Sequence, residues 1–191
     1  MAYDLISFAD WTTEEIVGVL NLAAELKGLH KEGRPYRPLE GQLLAMIFEK
    51  PSLRTRVTFE AGILQLGGHA LVLETRLGQR ESVPDVARNL ERWVDGIAAR
   101  TFSHEVVVQL AEYACVPVIN ALTNKFHPCQ ILADALTLRE HKGALDGLRL
   151  AFVGDGNNVC ASWCEFAARI PINLTHVCPP GYEVPEDVRD P

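Results

Sequence analysis

The apolar run Leu43-Leu44-Ala45-Met46-Ile47-Phe48 is short, continuous and free of polar alternation. That is the pattern of a strand buried on both faces, and such strands occur in parallel sheets covered by helices on each side. A helical stretch follows at once: Val57, Ala61 and Leu64 repeat at helical spacing with Phe59, Ile63 and Leu66 beside them, and Gly67-Gly68 supplies a stop. The alternation continues. Strands are predicted at 69–73, 116–120, 148–153 and 172–178, with a turn and strand at 95–100, and helices at 83–94, 104–114, 128–138 and 160–169. The inner stripe of 83–94 is Val86, Ala87, Leu90 and Trp93 or Val94. Ahead of them Thr12-Thr13-Glu14-Glu15 caps an amphipathic helix over 12–31. Pro117 places its strand toward an edge or shortens it. The fold class is α/β with a parallel sheet. The strand at 148–153 reads as buried, and the glycines and mixed charge of 139–147 mark a boundary between a domain over 1–142 and the start of a second over 143–191.

The joint after Phe48 carries the chemistry. Pro51 suits a first helical turn that needs no amide donor, and Ser52 or Thr55 can cap the free N–H groups there. A helix start favours negative charge, and Ser52, Arg54, Thr55 and Arg56 add two hydroxyls and two forked cations. A phosphate can use all of these donors at once. Arginines on a first turn are often only solvated charge, but these sit between a buried strand and its helix, where open α/β sheets bind ligands. Arg100 closes the apolar strand Ile97-Ala98-Ala99 at the same carboxyl end. His127 precedes Pro128, a second helix start, whose field favours neutral imidazole as a donor, and Gln130 lies on that first turn. A lone histidine is commonly structural; here its loop follows another strand of the presumed sheet. The polar segment 75–82 reads as a flexible loop or a plain surface linker.

Composition narrows the partners. Eighteen basic against 25 acidic residues give a net charge of −7, which excludes nucleic acid or anionic membrane as a general partner, so an anion site has to be built locally. No basic segment with an apolar core opens the chain and no apolar run reaches membrane length, so a cytoplasmic location is expected. Five cysteines without a Cys-x-x-Cys fit reduced thiols. Cys160 and Cys164 are one turn apart but lack further ligands nearby, and no metal is expected. Gly154-Asp155-Gly156-Asn157-Asn158 resembles part of a dinucleotide fingerprint, yet Val159 replaces its third glycine, so no nucleotide cofactor is expected.

Phe48-Glu49-Lys50-Pro51-Ser52-Leu53-Arg54-Thr55-Arg56, followed by His127-Pro128-Cys129-Gln130 and by Gly154 to Val159, resembles the aspartate/ornithine carbamoyltransferase family, in its ornithine branch. The resemblance runs through nearly the whole chain. Leu53 stands where the family more often has Thr, a position at which a backbone amide can do the holding. The resemblance implies carbamoyl transfer from carbamoyl phosphate to the side-chain amine of L-ornithine, giving citrulline and phosphate in arginine metabolism, with no cofactor. It implies that Ser52, Leu53, Arg54, Thr55, Gln79, Arg100, His127 and Gln130 bind carbamoyl phosphate, that Arg54, Thr55, Arg100 and His127 act in catalysis, and that Asn158 contacts ornithine. It implies trimers or multiples of trimers, with Gln79 reaching a neighbouring subunit. Family members continue well past position 191, so the expected organisation is a carbamoyl-phosphate domain with an incomplete ornithine domain. Alternatives are a carbamoyltransferase for acetylornithine, aspartate or putrescine, and a non-catalytic anion-binding or oligomerisation module.

Overall fold

The computed structural model describes residues 4–189; residues 1–3, on which the expectation about a leader bears, and residues 190–191 lie outside the described residues. The chain forms two compact units, one of Met1–Ile6 with Leu29–Asn124 and one of Ser7–Gly28 with Lys125–Pro191. No helix among the described residues is long and apolar enough to cross a membrane.

In the first unit β1 (Leu43–Phe48), α2 (Leu53–Gln65), β2 (His69–Leu73), α3 (Val83–Leu90), β3 (Gly96–Arg100), α4 (His104–Tyr113) and β4 (Val118–Leu122) succeed one another. They form a parallel sheet of order β2-β1-β3-β4. Both faces of β1 are covered, as its apolar run predicts. Ala45 and Ile47 join Ile97, Ala99 and Val118 in a core closed by Val83 and Ala87 of α3 and Val107 and Leu110 of α4. Leu44, Met46 and Phe48 face the other way with Ala98, against Phe59 and Ile63 of α2. Two local expectations change. Of the repeat Val57, Ala61 and Leu64 of α2, Val57 and Leu64 are 53% and 62% exposed and Ala61 is exposed as well, because a helix with two apolar rows gives only one to the sheet. Pro51 lies outside the helix, before the cap residue Ser52.

β4 starts two residues later than its apolar run. Pro117 has no N–H to give a ladder, although its carbonyl accepts from Ile97 N at 2.9 Å. The strand lies at the end of the four-stranded sheet, with Leu5 bridged to Ile119. α3 stops at Leu90, so Trp93 is exposed while Val94 is buried.

In the second unit α1 (Thr13–Lys31) opens on a reciprocal cap: Thr12 N donates to Glu15 Oε2 at 2.8 Å and Glu15 N to Thr12 Oγ1 at 3.2 Å. The last residues of α1 fall in the first unit. α5 (Pro128–Lys142) runs past the expected break at 139, since mixed charge does not end a helix. Arg139 instead donates to Leu20 O at 2.6 Å and Asn21 Oδ1 at 2.8 Å, and the helix ends at Gly143, whose φ of 88° suits glycine. β5 (Arg149–Val153) and β6 (Asn173–Val177) pair in parallel around α6 (Asn158–Ala167). β5 was expected to be buried, but its residues alternate and Val153 is 77% exposed: one face of this pair is uncovered. Phe166 meets Phe8 and Trp163 edge to face at 5.4 and 5.5 Å. A short α7 (Glu186–Arg189) was not foreseen.

Candidate functional site

From β1 the chain crosses to β2 on one side, and from β2 it returns past β1 to β3 on the other. The strand order therefore reverses between β1 and β3, and a crevice outside their carboxyl ends is where open α/β sheets take ligands. Phe48 and Arg100 are register partners at those ends, and Glu49 N donates to Arg100 O at 2.9 Å.

The helix start beside them is built for an anion. Ser52 caps α2, accepting from Thr55 N at 3.4 Å and donating to Thr55 Oγ1 at 2.9 Å. The amides of Leu53 and Arg54 have no carbonyl a turn behind them to bond, and the first turn holds no carboxylate to quench its field. Burial and then the positive charge of Arg54 lower the proton affinity of Arg100. Among the described residues neither Arg54 nor Arg100 has a carboxylate within ion-pair distance, and the buried Arg100 Nε has no hydrogen-bond partner. Two cations held near each other, one with an unused buried donor, are the electrostatic image of a bound anion. Arg56 is not one of the pair. It is neutralised by Glu74 at 2.7 Å and Glu60 at 3.3 Å, so the second cation of the cradle is Arg100 rather than Arg56. An adjoining cleft of about 490 Å³ is lined by Phe48, Ser52, Leu53, Arg56, Glu74 and Arg76 among others. Gln79 is exposed on the loop after β2, and among the described residues its side chain forms no hydrogen bond that joins it to this group.

His127, Gln130 and Asn158 belong to the second unit. His127 is the cap residue of α5, half-buried, with its N–H donating to Ser162 Oγ at 2.7 Å. Ser162 Oγ donates in turn to the carbonyl of Asn158, the first residue of α6, at 2.8 Å. One buried hydroxyl thus ties the starts of two helices, and sequence reading missed it; the signal was a single Ser among Cys, Ala, Trp and Phe. The Gln130 amide donates to Asp134 Oδ1 at 2.8 Å, one turn along, and burial raises the Asp134 carboxyl above its usual range. Asn157 caps α6 through Val159 N and Cys160 N. Gly156 is required by packing: a Cβ there would collide with the backbone of Glu183 and Val184. Among the described residues no group of three or more His, Cys, Asp or Glu side chains is placed to hold a metal.

The chain is similar to known proteins along most of its length. The sequence model of the aspartate/ornithine carbamoyltransferase carbamoyl-P binding domain matches residues 3–140, and that of the Asp/Orn binding domain matches residues 146–191. The ornithine carbamoyltransferase of Pelobacter propionicus is 52% identical over 186 residues, which is 96% of this chain and 61% of the relative. That of Anoxybacillus flavithermus is 52% identical over 97% of the chain and 60% of the relative. The structure of ornithine carbamoyltransferase from Pyrococcus furiosus superposes with a TM-score of 0.96 at 46% identity, covering 98% of this chain and 61% of that one. The chain thus spans about 60% of the length of the curated relatives it matches. Fold, the motif at the end of β1 and matches along almost every residue agree, and the chain belongs to the aspartate/ornithine carbamoyltransferase family.

Proposed function

We propose that this chain binds carbamoyl phosphate at the carboxyl ends of β1 and β3, and serves the transfer of its carbamoyl group to the side-chain amine of L-ornithine, yielding citrulline and phosphate. One observation carries the reading: Arg54 and Arg100 lie near each other without a carboxylate, Arg100 Nε is buried without an acceptor, and both flank a helix start with unbonded amides. In this mechanism Ser52, the Leu53 amide, Arg54 and Thr55 hold phosphate oxygens. Arg100, Thr55 and His127 donate to the carbonyl oxygen as it gains negative charge, Gln130 holds the carbamoyl NH2, Gln79 contributes from a loop, and Asn158 meets the amino-acid end of ornithine. The amine nitrogen attacks the carbamoyl carbon and loses a proton, and the C–O bond to phosphate breaks with its electrons passing to the phosphate. Preorganised donors supply the rate, and no enzyme nucleophile is needed.

The proposal extends to a carbamoyl-phosphate domain over 1–142, the start of an ornithine domain over 143–191, a trimeric assembly, a cytoplasmic location and a place in arginine metabolism. The last of these is supported by the name of one relative, an anabolic ornithine carbamoyltransferase of Pseudomonas aeruginosa. A second reading, another amine as acceptor, rests on Leu53, whose exposed side chain offers no hydroxyl. Titration calorimetry with carbamoyl phosphate tests the binding, and ornithine-dependent citrulline formation tests the transfer. Absence of heat on titration refutes the site; binding of carbamoyl phosphate without citrulline formed from ornithine refutes the transfer.

A further inference from the structure

Glu49 puts a negative charge directly beside a cradle for an anion, an arrangement that costs ligand affinity unless the carboxylate does something else. Both of its oxygens are in use. Oε2 accepts from Phe102 N at 2.9 Å and Oε1 from Leu77 N at 3.0 Å, while Glu49 N donates to Arg100 O at 2.9 Å. The segment 100–102 is therefore gripped at both ends by one residue, and the loop after β2 is tied to the same point. The Phe102 ring strengthens the junction, with Lys50 Nζ 4.3 Å and Arg76 Cζ 5.5 Å from its centroid. Three segments that follow β1, β2 and β3 meet here.

We infer that Glu49 is a positioning residue: its carboxylate fixes the backbone that carries Arg100 and the loop that carries Gln79 in the geometry carbamoyl phosphate requires. The inference rests on the proposed reading of the cradle. A carboxylate is needed because two N–H donors approach it from different segments. An amide of the same shape offers one carbonyl oxygen and keeps at most one of the two bonds.

The test is Glu49→Gln in the 191-residue chain, titrated with carbamoyl phosphate and with inorganic phosphate. Carbamoyl phosphate is expected to bind about tenfold more weakly, since Arg100 keeps its contact with the ligand but loses its fixed position. Inorganic phosphate, held by the Ser52 to Thr55 turn that Glu49 does not bond, is expected to stay within about twofold. The amide proton resonance of Leu77 or Phe102 should move upfield as its carboxylate acceptor is lost. Unchanged affinity for carbamoyl phosphate overturns the inference, and so does equal weakening for both ligands with a lower melting temperature. A wild-type chain that binds neither ligand is a different result, which removes the anion reading itself. Should the variant not fold, hydrogen exchange of the wild type decides: the Leu77 and Phe102 amides slow with carbamoyl phosphate more than with inorganic phosphate, and equal protection overturns the inference.

Discussion

Replacing Arg100 by Gln separates binding from stability. This guanidinium is half-buried, its proton affinity is lowered by burial and by Arg54, and its Nε has no acceptor. The charge is a cost until an anion arrives. Losing a charged hydrogen-bond donor to the ligand removes about 3 kcal/mol of binding, roughly 150-fold in Kd. At a carbamoyl phosphate concentration about 100 times the wild-type Kd, the wild type gains about 2.7 kcal/mol, which for a chain of this size raises the melting temperature by about 5–10 °C. At the same concentration the variant gains about 0.3 kcal/mol, or about 1 °C. Without ligand the variant should melt no lower than the wild type, because a repelled and underbonded charge has been removed. Differential scanning fluorimetry with and without carbamoyl phosphate reads both quantities. An unchanged ligand-induced shift, or a ligand-free variant that melts several degrees lower, refutes the account of Arg100 as a vacant donor.

Two further outcomes concern the second unit. Ser162→Ala strips the acceptor from His127 N–H, leaving a donor at a helix start unsatisfied, and should cost about 1–3 kcal/mol in urea unfolding; a cost near zero would show that the hydroxyl ties nothing. Glu165 is a pH-sensitive group: burial raises its carboxyl above the usual range although Phe8 N donates to it at 2.8 Å. With the folded value above the unfolded one, the native state holds the proton longer, so this residue's contribution to stability falls as pH rises through that window. Glu165→Gln keeps an acceptor for Phe8 and loses the titration. Its urea midpoint should gain on the wild type as pH rises through the ordinary carboxylate range, and a difference that stays constant with pH excludes the effect.

What the sequence made legible was what depends on neighbours along the chain. The continuous run 43–48 announced a strand covered on both faces, the Thr12 to Glu15 pattern formed its reciprocal cap, and Pro117 marked an end strand. What failed depends on tertiary partners. Helical periodicity in α2 showed two apolar rows but not which one would find the sheet, and Leu53 and Val57 ended outside. The apolar run 148–153 could not say that only one of its faces would be covered. In the cradle, the motif put Arg54 and Arg56 on equal terms. Only the fold brought Glu74 from another strand's end to Arg56, and only parallel register set Arg100 beside Phe48.

That division between Arg54 and Arg56 bears on how an acidic protein keeps a site for a dianion. With 25 carboxylates against 18 basic side chains, a free guanidinium on the surface tends to be captured by a neighbouring Asp or Glu. Within one turn of α2, Arg56 is captured, by Glu60 on its own helix and Glu74 across the gap, and its exposed pairs contribute little to stability. They do hold two carboxylates away from Arg54. Glu49, the acidic residue closest in sequence to the cradle, spends both oxygens on backbone amides instead of on a cation. Glu49, Glu60 and Glu74 are thus each engaged elsewhere, and among the described residues Arg54 and Arg100 keep no carboxylate within ion-pair distance. Substituting Glu74 alone would leave Arg56 held by Glu60, and only the loss of both carboxylates would free it as a third cation beside the cradle.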